Sequence, residues 1–247
     1  MPFSPDVQQL IQQVERLSDR PVHVMEEADL RNRATVTPAR GGAPSHIIRF
    51  RPGSPSLDYL VASQLQFLIR TFTCPPAERW DIVSTDAERD LGIKAMGLEA
   101  FEEPFARMMI ATIITQLRSY SIGCRADDWI WNNLPGLREQ QEDEIRSQLA
   151  ENERALAPET RRKFPKPLVD ANTTMNALFA TLWGERLHEP RFAIPFVAMG
   201  YRGKADELRA ILDELPDDAA SDRTMIERWA PVVGLAGSFH FKPYTTD

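Results

Sequence analysis

Ser63, Gln64, Gln66 and Phe67 stand where a zinc-binding helix carries its His-Glu-x-x-His motif. They belong to residues 58–70, DYLVASQLQFLIR. In such a helix two imidazoles ligate the metal and the glutamate between them acts as general base. Phe67 has no lone pair to give, and Ser63 is a poor zinc ligand. The amide of Gln64 has no useful proton affinity near neutral pH. The expectation is a motif without its chemistry: no catalytic residue, no metal and no cofactor. A plainer reading makes LVASQLQFLIR an amphipathic core helix, which accounts for Leu60, Ala62, Phe67 and Ile69 by burial alone.

Other chemistry-bearing residues are scattered. Of the four histidines, His23 and His46 fall on expected strands, where they could be neighbours across a sheet. His188 lies beside Glu185 and Glu189 at an expected helix end, where the dipole favours an imidazolium. Cys74 and Cys124 lack the spacing of a metal motif, and so few cysteines fit a reducing compartment better than a disulfide. Cys124, beside Arg125 and near an expected helix start, has neighbours that lower a thiol pKa, although a small buried cysteine is the commoner outcome. Glu102-Glu103 and Asp127-Asp128 are adjacent pairs, whose members point in different directions on a helix. No P-loop, dinucleotide fingerprint or G-x-S-x-G elbow is present.

The elements that position these residues change character along the chain. Ser4 and Pro5 open a helix with Val7, Leu10, Ile11, Val14 and Leu17 on one face. Strand signals follow at 22–25, at 33–38 and, most strongly, in SHIIRF at 45–50. The spacing then predicts helices over 57–72, 99–120, 125–133, 137–156, 168–187, 204–215 and 222–233, the last capped by Asp222. The FHFK tail is a short strand or an extended end. The fold class expected is α+β: a small three-stranded sheet with its helices, then a mainly helical C-terminal part. A proline-bearing break divides it into residues 1–157 and a helical extension, 158–247, packed on the first part.

Composition narrows the classes of function. The 247 residues carry 29 basic and 36 acidic side chains, net −7, which argues against nonspecific nucleic-acid binding. The basic cluster Arg161, Arg162, Lys163 and Lys166 sits in the proline-bearing break and reads as a solvated link. The N-terminus lacks the apolar run of a signal peptide, and no stretch approaches the ~20 apolar residues of a membrane span. The cytoplasm is the default expectation.

The order of helix, short strands, SHIIRF strand, turn and helix ending in L-I-R resembles the minimal zinc peptidases of the IrrE/ImmA type and related gluzincin-like proteins. The likeness spans roughly residues 5–130. In that family an edge strand before the motif helix lies beside the active-site cleft. The resemblance puts the first ligand histidine on Ser63, the catalytic glutamate on Gln64, a small residue on Gln66 and the second histidine on Phe67. The third, acidic ligand comes from a later helix, with Glu99, Glu102, Glu103, Asp127 and Asp128 as candidates by position.

What the resemblance implies is a zincin-like protein inactive as a peptidase, which binds or regulates a protein partner through its old cleft. Candidate lining residues are His46, Ile48, Glu102, Glu103, Asp127 and Asp128, and an extended segment could add to the SHIIRF strand. Two alternatives stand beside it. One is a hydrolase with a metal-independent site built from Ser63, Gln64, Gln66 and an acid from 99–128. The other is a structural component of an assembly, suggested by the wide apolar faces of the helical half.

Overall fold

The structure, a computed structural model, describes residues 3–30 and 32–244. Helix α1 (Pro5–Ser18) turns Val7, Leu10 and Val14 inward and ends at Asp19, which adopts a left-handed φ of 54°. Pro5 opens it, where a missing N–H costs nothing. Ser4 occupies the N-cap, but its side chain makes no capping bond. Its backbone N–H donates instead to Asp58 Oδ2 at 2.9 Å, tying the start of α1 to the next helix.

Strands β1 (Val22–Glu26), β2 (Ala34–Thr37) and β3 (His46–Phe50) form a mixed sheet in the order β1-β3-β2. β1 runs parallel to β3 and β2 antiparallel, so Val24 and Val36 flank Ile48. β3 alternates as a strand with one core face should: His46, Ile48 and Phe50 are buried, Ile47 and Arg49 half-buried. The expected three-stranded sheet is present. Strand addition onto SHIIRF is corrected, however. β3 is the central strand, and both of its hydrogen-bonding edges are occupied.

Helix α2 (Leu57–Thr73) lies against α1, β2 and β3 and buries Leu60, Val61, Leu65, Leu68 and Phe72 among others. β4 (Trp80–Val83) and α3 (Asp86–Ala95) follow, neither of them expected from periodicity. A reciprocal capping box starts α3: Thr85 Oγ1 accepts from the Glu88 N–H, and a Glu88 carboxylate oxygen accepts from the Thr85 N–H.

The helices expected over 99–120 and 125–133 are one, α4 (Glu103–Asn133). Ser121, Ile122 and Gly123 continue the helix rather than break it, and the Ser121 hydroxyl bonds back to the Arg118 carbonyl. An internal glycine costs about 1 kcal/mol against alanine. Burial of Leu117, Ile122, Ala126 and Ile130 on both sides of that point offsets it.

The rest is helical: α5 (Arg138–Arg154), α6 (Pro158–Arg161), α7 (Lys166–Arg186), α8 (Ile194–Ala198), α9 (Arg202–Glu214) and α10 (Ser221–Val232). α9 packs on α7 and α10. The Trp229 indole N–H donates to the Leu208 carbonyl at 3.1 Å within that packing. Ala220, not Asp222, is the N-cap of α10; Asp222 is buried in its first turn. β5 (His240–Pro243) pairs with β4 in a two-stranded sheet.

The chain is thus α+β, with a small early sheet and a mostly helical remainder. It divides into two compact units, Met1–Asp81 with Gly123–Ile145 and Pro243–Asp247, and Ile82–Ile122 with Arg146–Lys242. The compositional break at 157–167 lies inside the second unit. Among the described residues, no helix is long and apolar enough to cross a membrane.

Candidate functional site

On α2, Ser63, Gln64 and Phe67 are half-buried, and Gln66 is buried with an amide nitrogen that meets no hydrogen-bond acceptor. These side chains sit on a helix whose neighbours Ala62 and Leu65 are fully enclosed. Their packing is that of a core helix.

His46 and Ile48 are each 0% exposed, so they are core residues of the first unit and line no open cleft. The Ala39 N–H donates to His46 Nδ1 at 2.9 Å, which fixes a neutral ring with its proton on Nε2. Burial, with the nearby Arg20 charge, lowers the His46 pKa to about 4. The ring meets Phe72 edge-on at 4.9 Å. His23 does not join it: His23 is exposed and pairs in register with Ile47, on the opposite face of the sheet.

The acidic candidates also separate. Asp127 is buried and accepts from the Tyr59 hydroxyl at 2.8 Å, while the Gln141 side chain donates to the Asp127 carbonyl at 2.9 Å. This polar brace links α2, α4 and α5. Burial and the Asp127 and Glu144 carboxylates push the Tyr59 hydroxyl well above its usual pKa. Glu144 in turn pairs with Arg33 at 2.7 Å. Asp128 is half-buried and accepts from Asn132 at 3.0 Å. Glu102 and Glu103 are exposed in the second unit, and Glu103 pairs with Arg107 at 2.8 Å.

Both cysteines are buried and form no disulfide. Cys124 sits inside α4, so the helix start that would acidify its thiol is not there. Trp129 and Trp131 are both half-buried, and the Arg138 guanidinium lies over the Trp131 ring at 5.6 Å. Among the described residues, no three His, Cys, Asp or Glu side chains group so as to hold a metal ion.

The second unit contains a cavity of about 190 Å³. From α4, Met109, Thr112, Ile113 and Gln116 face it at i, i+3, i+4 and i+7, the spacing of one helical face. From α7 come Leu168, Val169, Asn172 and Thr173, and the segment between α5 and α7 adds Thr160, Arg161 and Phe164. Gln116 Nε2 donates to Asn172 Oδ1 at 2.5 Å, joining the two long helices beside the cavity. The hydroxyls of Thr112 and Thr173 donate back to the carbonyls of Met108 and Val169.

Arg161 is the charged residue of the cavity wall. One terminal nitrogen donates to the Tyr201 hydroxyl at 3.0 Å, and that hydroxyl donates to Asp170 Oδ1 at 2.7 Å. The other lies 4.0 Å from the Met199 sulfur, and Nε is buried without a partner. Asp170 also receives Lys166. Burial works against the Asp170 charge, but the Lys166 and Tyr201 hydrogen bonds hold its pKa below the usual range. Arg162, Lys163 and Lys166 are exposed, as a solvated link should be, whereas Arg161 turns in toward Tyr201. Charge patterning gave no sign of this, because one of four adjacent cations is singled out only by what packs on it.

No family model, curated protein or solved structure matches the chain. The likeness to the IrrE/ImmA-type peptidases rests on the quoted residues alone.

Proposed function

We propose that the protein is a small-molecule-binding protein whose ligand site is the cavity between α4 and α7. The cavity itself is the observation that carries this reading: apolar walls with a few polar groups, the usual make-up of a ligand site. A cavity of ~150 Å³ accommodates benzene, so about 190 Å³ suits one substituted ring or a short branched chain. Its polar groups are amides, threonine hydroxyls and a guanidinium. Such groups orient and hold a ligand; none is a general base near neutral pH. This moves the binding role away from the cleft expected beside SHIIRF. Full burial of His46 and Ile48 supports a scaffold role for that region.

The test is a fragment screen by thermal shift and ligand-observed NMR on the full chain and on Val169→Phe, which fills the cavity. Fragments should raise the Tm of the wild type and lose binding to the filled variant. No bound fragments, or hits that bind both proteins equally, would contradict the proposal.

A further inference from the structure

We infer that the ligand of this cavity is a small carboxylate, with its acid group on Arg161 and one ring or branched apolar body between Met109, Ile113 and Leu168. The inference rests on the binding reading above and specifies its ligand. Its basis is the imbalance of charge and donors around the cavity.

Among the described residues, Arg161 touches no carboxylate directly. The neutral Tyr201 phenol stands between it and Asp170, and the Asp170 charge is already matched by Lys166. Arg161, one of the residues lining the cavity, therefore carries a positive charge without a carboxylate of its own. Arg161 Nε is buried and closed off, so the donors it leaves for a ligand are those of the terminal nitrogens. The terminal nitrogen beside Met199 has only a sulfur at 4.0 Å, a weak acceptor, and so retains donor capacity.

The amide pair adds to the imbalance. Asn172 Oδ1 is occupied by Gln116, which leaves the Asn172 NH₂ as a second donor among the residues that line the cavity. Two donor groups, one of them cationic, call for a ligand with two acceptor oxygens and a negative charge. Carboxylate matches guanidinium geometry and forms the stronger, charge-assisted hydrogen bond. Met109, Ile113 and Leu168, which also line the cavity, leave the rest of the ligand an apolar environment.

The experiment titrates benzoate, phenylacetate and the neutral isostere benzamide into the full chain by calorimetry, and repeats this on Arg161→Met and Arg161→Lys. The acids should bind wild type at least about tenfold more tightly than benzamide, the difference expected of one charge-assisted contact. Arg161→Met should remove that preference while leaving weak benzamide binding, and Arg161→Lys should restore part of it. Equal binding of acid and amide to wild type would overturn the carboxylate inference and leave the ligand cavity standing. Failure of all three probes to bind, or binding that Val169→Phe does not disturb, would overturn both. An unchanged far-UV spectrum and Tm for Arg161→Met separates loss of binding from loss of fold.

Discussion

Tyr59 on α2 donates its hydroxyl to the buried carboxylate of Asp127 on α4 at 2.8 Å. An apolar helix thereby gains one polar contact to a second helix, and Gln141 joins the same brace through the Asp127 carbonyl. Tyr59→Phe keeps the ring and removes the donor from a buried acceptor. The expected cost is about 1–3 kcal/mol in urea unfolding with an unchanged m-value. A cost below about 0.5 kcal/mol would show that the hydroxyl contributes little.

His46 makes stability depend on pH. Its pKa is about 4 in the fold against 6.5 for a solvated histidine. Above pH 6.5 neither state holds the proton, and the His46 contribution is complete. As pH falls from 6.5 toward about 4, the unfolded chain takes up a proton that the folded chain refuses, so stability declines; below about 4 this loss levels off. The decline should amount to roughly 1–3 kcal/mol and be absent from His46→Leu, once each protein is compared with itself at pH 7 and pH 4.5. Parallel pH curves for the two proteins would contradict a neutral buried imidazole.

Gly123 lies in the interior of α4, where glycine is a poor helix former. A Cβ there would meet only the Phe67 Cζ, at 3.9 Å, an ordinary contact. Gly123→Ala should therefore stabilise the protein by about 0.5–1 kcal/mol. A loss of stability would indicate a bend or close approach that the continuous helix does not contain.

The capping box of α3 offers a local test. Thr85→Ala removes the acceptor for the Glu88 N–H and should cost about 1 kcal/mol. Glu88 also contacts His240 Nδ1 at 2.8 Å on the exposed surface. His240→Gln should change stability little, because exposed ion pairs contribute little. Hydrogen exchange at α3 would report the first effect directly.

Parts of this fold were legible in the sequence for clear physical reasons. The i, i+3, i+4 stripe of α1 and the β-branched and aromatic run of SHIIRF, closed by Pro52-Gly53, are strong local signals, and both elements are present. α3 gives only a faint signal: T-x-x-E at 85–88 is a helix-start signature, but the helix buries only Gly92 and has almost no apolar stripe. The helices expected over 99–120 and 125–133 are joined in α4 by tertiary burial on both sides of Gly123, which nothing local to the sequence shows.

The sites were less legible than the fold. Strand order is set by pairing partners, so nothing local to residues 45–50 shows that β3 is central rather than at an edge. That single fact removes the expected docking edge. Arg161 and Asn172 come from different helices and belong to no spacing motif; they share a cavity only once α4 and α7 have packed.

The most direct test of the central claim is an HSQC titration of the ¹⁵N-labelled full chain with benzoate. The ligand site proposed here predicts saturable shift changes concentrated at Met109, Ile113, Gln116, Leu168 and Asn172, and lost in Val169→Phe. Shifts confined to residues of the first unit, or no saturable shift with benzoate, phenylacetate or benzamide at millimolar concentration, would contradict it.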